Sequence, residues 1–186
     1  MMFESYLNLL YHSFMDLILV LHNIRSTHNV GSILRTADGL GVSKVIFSGY
    51  TPRVDDMREL PHLREKLNKQ IAKTALGAEK YVRNYAVDDI KTELLKLKKD
   101  GYSIAGLENN LDADKPVLQM KMANLSQIRS ALQSRVVLVL GEEVEGIEKS
   151  LYEIIDVFLE IPMAGRKESF NVSVATGIAC YVLCNL

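Results

Sequence analysis

The sequence predicts an α/β fold in which a parallel sheet is covered by helices on both faces. Apolar runs of strand length recur along the chain, as at residues 17–21 and 136–140, and segments with helical periodicity separate them. Runs that are apolar throughout are typical of parallel strands buried on both faces. The 186 residues, 48% of them hydrophobic, suffice for one core of this kind. We therefore expect a single domain over residues 17–186.

In the first half of the chain, strands and helices are expected to alternate. Residues 1–16 should form a short N-terminal docking helix, because their aromatic and leucine side chains follow the i, i+3, i+4 spacing. A strand at 17–21 comes next. The pattern then predicts a helix at 29–40, a strand at 44–49, a helix near 63–76, a strand near 79–85, a helix at 88–99 and a strand at 102–107. This alternation is typical of a parallel sheet.

The second half of the chain continues the same alternation. After a polar stretch, the pattern predicts a helix around 124–132, a strand at 136–140, a helix at 146–155, a strand at 157–161 and a final helix at 171–184. The final helix is apolar around its whole circumference. Such a helix has to be buried on every side, against its own core or against a partner.

The charge distribution indicates where a polyanion would bind. A net charge of −1 and a pI near 6.4 exclude a globally basic protein. Between His22 and Arg83, however, 11 Lys and Arg residues stand against 6 Asp and Glu residues. This local excess predicts a nucleic-acid-binding patch, and the alternative is an ordinary uneven surface.

Cysteine and histidine usage argues against disulfides and metal binding. Cys180 and Cys184 lie on one predicted helix, where a disulfide between them is unfavourable, so we expect free thiols and a cytoplasmic location. The four histidines lack the spacing of metal ligands, and no metal is expected. Near the N-terminus the longest uninterrupted apolar run is 17–21, so neither a signal peptide nor a membrane span is expected.

Several common enzyme classes lack their signature in this chain. No G-x-G-x-x-G follows the first strand, and neither G-x-x-x-x-G-K-[ST] nor G-x-S-x-G occurs, which argues against nucleotide-dependent hydride transfer, P-loop chemistry and serine hydrolysis. Ligands of parallel α/β sheets bind beyond the carboxyl ends of the strands. The informative loops are therefore those after residues 107, 140 and 161.

Three segments together carry a resemblance to a known family. They are "HNIRSTHNVGSILRTADGLG" (22–41), "VVLVLGEEVEGI" (136–147) and "IPMAGRKESFNVSVATG" (161–177). In order and spacing they resemble the three signature motifs of the SpoU/TrmH branch of the SPOUT RNA methyltransferases, and the match extends over residues 18–184. The resemblance implies a deep C-terminal trefoil knot, binding of S-adenosylmethionine (AdoMet) and a homodimer. Pattern alone would not predict the knot, because knotted connections are almost absent from proteins.

The resemblance also implies roles for individual residues. Asn29 and Arg35 of the first motif would face the RNA and the reacting ribose, Glu143 is the acid of the second motif, and Ser169 and Asn171 form the Ser-x-Asn pair of the third. Asn29 has an alternative interpretation as a helix N-cap. The residues expected to bind AdoMet are Leu107, Leu140, Gly141, Ile161, Met163 and Phe170, with Phe170 standing where the family usually has Leu. Glu142 and Glu145 are expected to be surface charges.

The predicted activity is 2′-O-methylation of a ribose in tRNA or rRNA. The basic residues expected to contact RNA phosphates are Arg25, Arg53, Arg58, Arg64 and Lys66. Two other classes remain open: a noncatalytic RNA-binding protein with the same fold, and an α/β enzyme acting on a small molecule. The intact Arg35, Glu143 and Asn171 favour the methyltransferase over the first of these.

Overall fold

In the part of the chain that the structure describes, all neighbouring strands of the sheet run parallel. The computed structural model describes residues 15–109, 111 and 115–186. Within them the strands are β1 (Asp16–His22), β2 (Lys44–Ser48), β3 (Asn84–Val87), β4 (Ser103–Leu107), β5 (Val117–Gln119), β6 (Arg135–Leu140) and β7 (Val157–Glu160). Their spatial order is β3-β2-β1-β6-β4-β7-β5. The centre of the sheet is therefore β6, between β1 and β4.

Five α-helices accompany the sheet in the described residues. They are α1 (Thr27–Gly39), α2 (Pro61–Ala75), α3 (Ile90–Lys99), α4 (Leu125–Ala131) and α5 (Val172–Cys184). Short 3₁₀ turns occupy Ala78–Lys80, Met122–Asn124 and Lys149–Leu151. No helix in this part of the chain combines the length and apolarity needed to cross a membrane.

The two faces of β1 explain why helices cover both sides of the sheet. Leu19 and Leu21 are fully buried in one apolar cluster that also contains residues of α1, α2 and α5. Val20, on the opposite face, belongs to a second cluster with residues of α3 and the 147–155 segment. Burying one such side chain stabilises the fold by roughly 1.5–3 kcal/mol. The predicted parallel sheet with both faces covered is confirmed.

Helix α1 begins earlier than its pattern indicates. The side chain of Ser26 accepts a hydrogen bond from the backbone N–H of Asn29, at 3.3 Å, and so caps the helix. The first helical residue is therefore Thr27, and Asn29 lies inside the first turn. This excludes the interpretation of Asn29 as the N-cap and leaves its side chain available for other contacts.

Two elements of the sequence prediction were wrong in type or position, and one strand was missed. The strand expected near 79–85 forms at Asn84–Val87, because a 3₁₀ turn follows Gly77, whose φ is +99°. The helix expected at 146–155 is only the 3₁₀ turn Lys149–Leu151 within irregular backbone, although Ile147, Leu151 and Ile155 are buried as a helical pattern requires. Edge strand β5 was not expected, since it has three residues and little burial.

The expected docking helix falls almost entirely outside the described residues. Positions 1–14 are not described, and Asp16 already belongs to β1. Helix α5, in contrast, is fully described. Its Thr176, Ala179, Cys180 and Leu183 are buried in the core, whereas Val174 is 49% and Tyr181 63% exposed. One face of this apolar helix therefore has no cover from the described residues of the chain.

Candidate functional site

The loops that follow β4, β6 and β7 enclose a cavity at the carboxyl edge of the sheet. Its volume is about 390 Å³. The sequence-predicted residues that line it are Leu107, Leu140, Gly141, Glu143, Ile161, Ser169, Phe170 and Asn171. Loops that are far apart in the chain thus meet where the general rule for parallel sheets places a ligand.

The loop after β6 is folded tightly on itself. Glu142 and Gly146 exchange two backbone hydrogen bonds of 3.0 Å each. A Cβ on Gly141 would lie 2.3 Å from the backbone carbon of Gly146 and 2.3 Å from the nitrogen of Ile147. Only glycine therefore fits at position 141, and the wall of the cavity is formed there by backbone.

Side chains from the three sequence motifs contact one another beside the cavity. Asn29 donates from Nδ2 to Oε1 of Glu143 at 3.0 Å, and Asn171 donates from Nδ2 to Oδ1 of Asn29 at 3.2 Å. Asn171 also caps α5, since its Oδ1 accepts hydrogen bonds from the N–H of Ser173 at 3.0 Å and from its hydroxyl at 2.7 Å. These contacts fix the direction of the Asn29 and Asn171 amides.

Glu142 is not the surface charge that the sequence indicated. The residue is only 7% exposed, and its Oε2 accepts backbone hydrogen bonds from Val144 at 2.8 Å and Glu145 at 2.5 Å. The Nε of Arg25 lies 2.7 Å from its Oε1. The N–H groups of Glu145 and Val144, helped by the Arg25 charge, hold the pKa of Glu142 below its usual value. The carboxylate therefore shapes the loop, whereas Glu145 is exposed.

Three polar residues that line the cavity escaped the sequence analysis: Glu108, Asn109 and Lys167. Glu108 accepts a 2.9 Å hydrogen bond from the N–H of Ile147, and its burial raises its pKa. The amide of Asn109 donates to the carbonyl of Ile161 at 2.8 Å and accepts from its N–H at 3.1 Å. Glu108 and Asn109 directly follow β4, so their position at this edge was the available signal.

Three of the predicted catalytic and AdoMet-binding residues are not part of the cavity wall: Asn29, which contacts the wall residues Glu143 and Asn171, Arg35 and Met163. Met163 is half-buried and is not among the residues that line the cavity. Arg35 lies on the exposed side of α1, and its guanidinium pairs with no carboxylate in the described ranges. Because it forms no ion pair with a described residue, this guanidinium is available to a ligand. Its contact with RNA stays a prediction.

Three of the five basic residues expected to bind RNA form ion pairs with carboxylates of the protein. Arg58 binds Asp56 at 2.8 Å and Arg53 binds the same carboxylate at 3.2 Å. Hydrogen bonds from Arg58 foremost hold the pKa of Asp56 far below its usual range. Arg25 pairs with Glu142, whereas Arg64 and Lys66 form no ion pair with a described residue. The count of basic residues therefore overstates the free positive charge.

The cysteines follow the prediction of free thiols. Cys180 and Cys184 are free, and burial raises the pKa of Cys180 to about 12. Such a thiol is protonated at neutral pH and unreactive. Within the described ranges, no group of three or more His, Cys, Asp and Glu side chains is arranged to hold a metal ion.

A family model and the curated relatives that match this chain all describe RNA methyltransferases. The model of the family described as "SpoU rRNA Methylase family" matches residues 16–181. The "Putative TrmH family tRNA/rRNA methyltransferase" of Staphylococcus aureus is 30% identical over 165 residues, which are 88% of this chain and 56% of that protein. The "23S rRNA (guanosine-2'-O-)-methyltransferase RlmB" of Pseudomonas aeruginosa is 33% identical over 165 residues, 89% of this chain and 57% of that protein. The chain thus spans about half the length of these curated relatives.

Solved structures share the same fold. The "A. aeolicus TrmH/SpoU tRNA modifying enzyme" superposes with a TM-score of 0.69 at 25% identity, covering 100% of this chain and 84% of that chain. The "AdoMet bound rRNA methyltransferase from Sinorhizobium meliloti" has a TM-score of 0.69 at 20% identity, covering 91% of this chain and 56% of that one.

Proposed function

The chain belongs to the SpoU rRNA methylase family, and on that premise we propose that it transfers a methyl group from AdoMet to a ribose 2′-hydroxyl of tRNA or rRNA. The observation that carries the proposal is the contact of Glu143, Asn29 and Asn171 at the cavity. Glu143 and Asn171 also line the cavity. Each comes from a different motif of the sequence, so their meeting point is the natural place for the reaction.

The cavity suits AdoMet in shape and charge. Apolar side chains of Leu107, Leu140, Ile161 and Phe170 line it and would take the adenine ring and the thioether carbons. The carboxylates of Glu108 and Glu143 would favour the positive charges of the sulfonium and the amino group. When bound, AdoMet supplies an electrophilic methyl group.

The protein's own groups then have two tasks, orientation and charge stabilisation. Transfer would form an oxygen–carbon bond as the carbon–sulfur bond of AdoMet breaks, the sulfur would keep the electron pair as a neutral thioether, and the hydroxyl proton would pass to water. Holding the hydroxyl in line with the methyl provides much of the rate enhancement, and the amides of Asn29 and Asn171, with the hydroxyl of Ser169, are the groups we assign to this task. A guanidinium keeps its proton at neutral pH, so we assign Arg35 to clamp the phosphate and the developing oxyanion.

We also propose the finer architecture that the resemblance implies, a trefoil knot and a homodimer. The knot is supported by the strand order, because β6 and β7 lie on either side of β4 and the loops that follow them line one cavity. The dimer is supported by the face of α5 that none of the described residues covers, where Val174 and Tyr181 are exposed. A cytoplasmic location is supported by the two free cysteines.

Methyl transfer is tested directly with the purified chain, tritiated AdoMet and bulk RNA from a strain lacking the gene. Calorimetry first measures AdoMet binding. Nuclease digestion of the RNA product should then release a labelled 2′-O-methylnucleoside. Binding without transfer would favour the noncatalytic RNA-binding alternative, and absence of both would contradict the proposed function.

A further inference from the structure

A second cavity lies on the loop between β2 and α2. Its volume is about 420 Å³, within the roughly 300–1,000 Å³ that small-ligand pockets occupy. Tyr50, Pro52, Arg58 and Leu67 are among the residues that line it. Because β2 and β6 run parallel in one sheet, this loop lies at the same carboxyl edge as the first cavity.

The turn that presents Tyr50 is firmly fixed. The N–H of Tyr50 donates to Oδ1 of Asn23 at 3.3 Å. The buried hydroxyl of Thr51 donates to the carbonyl of Leu21 at 2.9 Å and accepts from the N–H of Ile24 at 3.1 Å. Gly49 has a φ of +61°, and a Cβ there would lie 1.8 Å from the Asn23 Oδ1. On this ordered backbone the Tyr50 side chain is nevertheless 53% exposed.

Guanidinium groups lie close to this exposed ring. Hydrogen bonding to Tyr50 and the charge of Glu142 both raise the pKa of Arg25. The Nε of Arg25 also lies 2.7 Å from Oε1 of Glu142, on the loop that lines the first cavity. Arg58 is held by Asp56 through Nε and Nη2, and its Nη1 makes no hydrogen bond within the described ranges.

We infer that Tyr50 is a stacking platform for an unpaired RNA base next to the target nucleotide, with Arg25 and Arg58 contacting the phosphates beside that base. The inference rests on the proposed function, since it adds a substrate subsite to the same edge of the sheet. Proteins bind single-stranded RNA by stacking bases on exposed aromatic rings and by pairing phosphates with nearby cations. A fixed backbone lowers the conformational entropy lost when the base binds.

The inference is tested by fluorescence anisotropy with two labelled probes, the oligoribonucleotide rA10 and a ribose-phosphate decamer without bases. AdoMet is left out of this assay. Tyr50→Ala should weaken rA10 binding about tenfold, the magnitude of losing one aromatic stacking partner, and should leave the abasic decamer unaffected. Tyr50→Phe should bind rA10 like the parent chain, because the stacking ring is kept and only the phenolic hydroxyl is lost.

Tyr81→Ala is the matched control, since Tyr81 is also exposed but precedes β3 at the opposite, amino edge of the sheet. It should bind both probes normally. Equal rA10 affinity of Tyr50→Ala and the parent chain would overturn the inference, as would equal losses for the two probes. A loss in Tyr50→Phe as large as in Tyr50→Ala would also overturn it, because the loss would then come from the hydroxyl and not from the ring.

Two further measurements distinguish base stacking by Tyr50 from a role of its ring in AdoMet binding or in a protein interface. AdoMet affinity of Tyr50→Ala should equal that of the parent chain, and methyl transfer to bulk RNA should show a raised KM with kcat unchanged. A shift in sedimentation of Tyr50→Ala would instead assign the ring to a protein interface and overturn the inference. If the parent chain transfers no methyl group, the proposed function fails, and the comparison of the two probes still decides the role of Tyr50.

Discussion

Asn171 donates a hydrogen bond from its Nδ2 to the Oδ1 of Asn29, at 3.2 Å, and thereby joins the cap of the last helix to the first turn of α1. Asn29 in turn donates a hydrogen bond from its Nδ2 to Glu143 on the loop after β6. The orientations of the three side chains therefore depend on one another. A change in one of them should disturb the reacting geometry more than the stability of the fold.

Asn171→Asp tests this mutual dependence. The new carboxylate keeps an oxygen that can accept from Ser173 and cap α5, but it loses the donor to Asn29 and brings a negative charge close to Glu143. We expect Tm to stay within a few degrees and methyl transfer to fall by at least tenfold, the scale of one misplaced orienting group. Thermal melting and a single-turnover assay measure the two effects. Normal transfer by this variant would show that the link is structural only.

Arg35→Ala should abolish methyl transfer and leave AdoMet binding nearly intact. The guanidinium lies on an exposed part of α1 and is not among the residues that line the cavity, so its loss removes charge stabilisation without altering the cavity wall. Loss of one such preorganised group typically lowers kcat by about 10²–10³-fold. Arg83→Ala, an exposed arginine just before β3, serves as the control. Transfer at the parent rate by Arg35→Ala would contradict the assigned role.

The sequence predicted the parts of this fold that depend on regular patterning. The buried strands β1 and β6 and the amphipathic α1 were recognisable, because side chains that repeat with a fixed period show which faces are buried. The 147–155 segment shows the limit of that signal. Its apolar residues are spaced as in a helix, yet Gly146 at φ +72° and the bridge to Glu142 lead the chain into irregular backbone.

The sequence motifs predicted most residues of the cavity. The count of charged residues did not predict which basic side chains are free of ion pairs. Eight predicted residues line one cavity, since motifs report a shared geometry of backbone and side chains. Electrostatic partners were not predictable. Nothing in the order of residues shows that Asp56 binds both Arg53 and Arg58, or that Glu142 is buried beside Arg25, because these pairs form only when the loops fold.

Glu142 should make the stability of the protein depend on pH. Its pKa is lowered in the folded state, so its contribution is fully present above the ordinary carboxyl pKa and is lost as the pH falls through the lowered value. Glu142→Gln should therefore reduce Tm at pH 7, and the difference from the parent chain should shrink toward pH 3. Glu145→Gln, at an exposed neighbour, should change little at either pH. Melting curves across this range provide the measurement, and a constant difference would contradict the assignment.

The exposed face of α5 should carry the dimer contact. Val174→Glu places a charge on that face, where the side chain is half exposed, so the folded chain should persist while assembly weakens. Sedimentation velocity at tens of micromolar should show a dimer for the parent chain and a monomer for the variant. A substitution at Ala179 is unsuitable for this purpose, because that residue is fully buried in the protein's own core. A parent chain that sediments as a monomer would remove the dimer proposal.

Gly141 should be required for AdoMet binding because backbone of the same loop occupies the space that a side chain would need. A Cβ at this position would lie 2.3 Å from backbone atoms of Gly146 and Ile147, which cannot yield as a flexible side chain would. Gly141→Ala should therefore displace the loop and weaken AdoMet binding by at least tenfold, as measured by calorimetry. Gly165→Ala is the control on the neighbouring loop, since a Cβ there meets nothing within 4 Å. If both variants bind AdoMet like the parent chain, the wall formed by the loop after β6 does not contact the methyl donor.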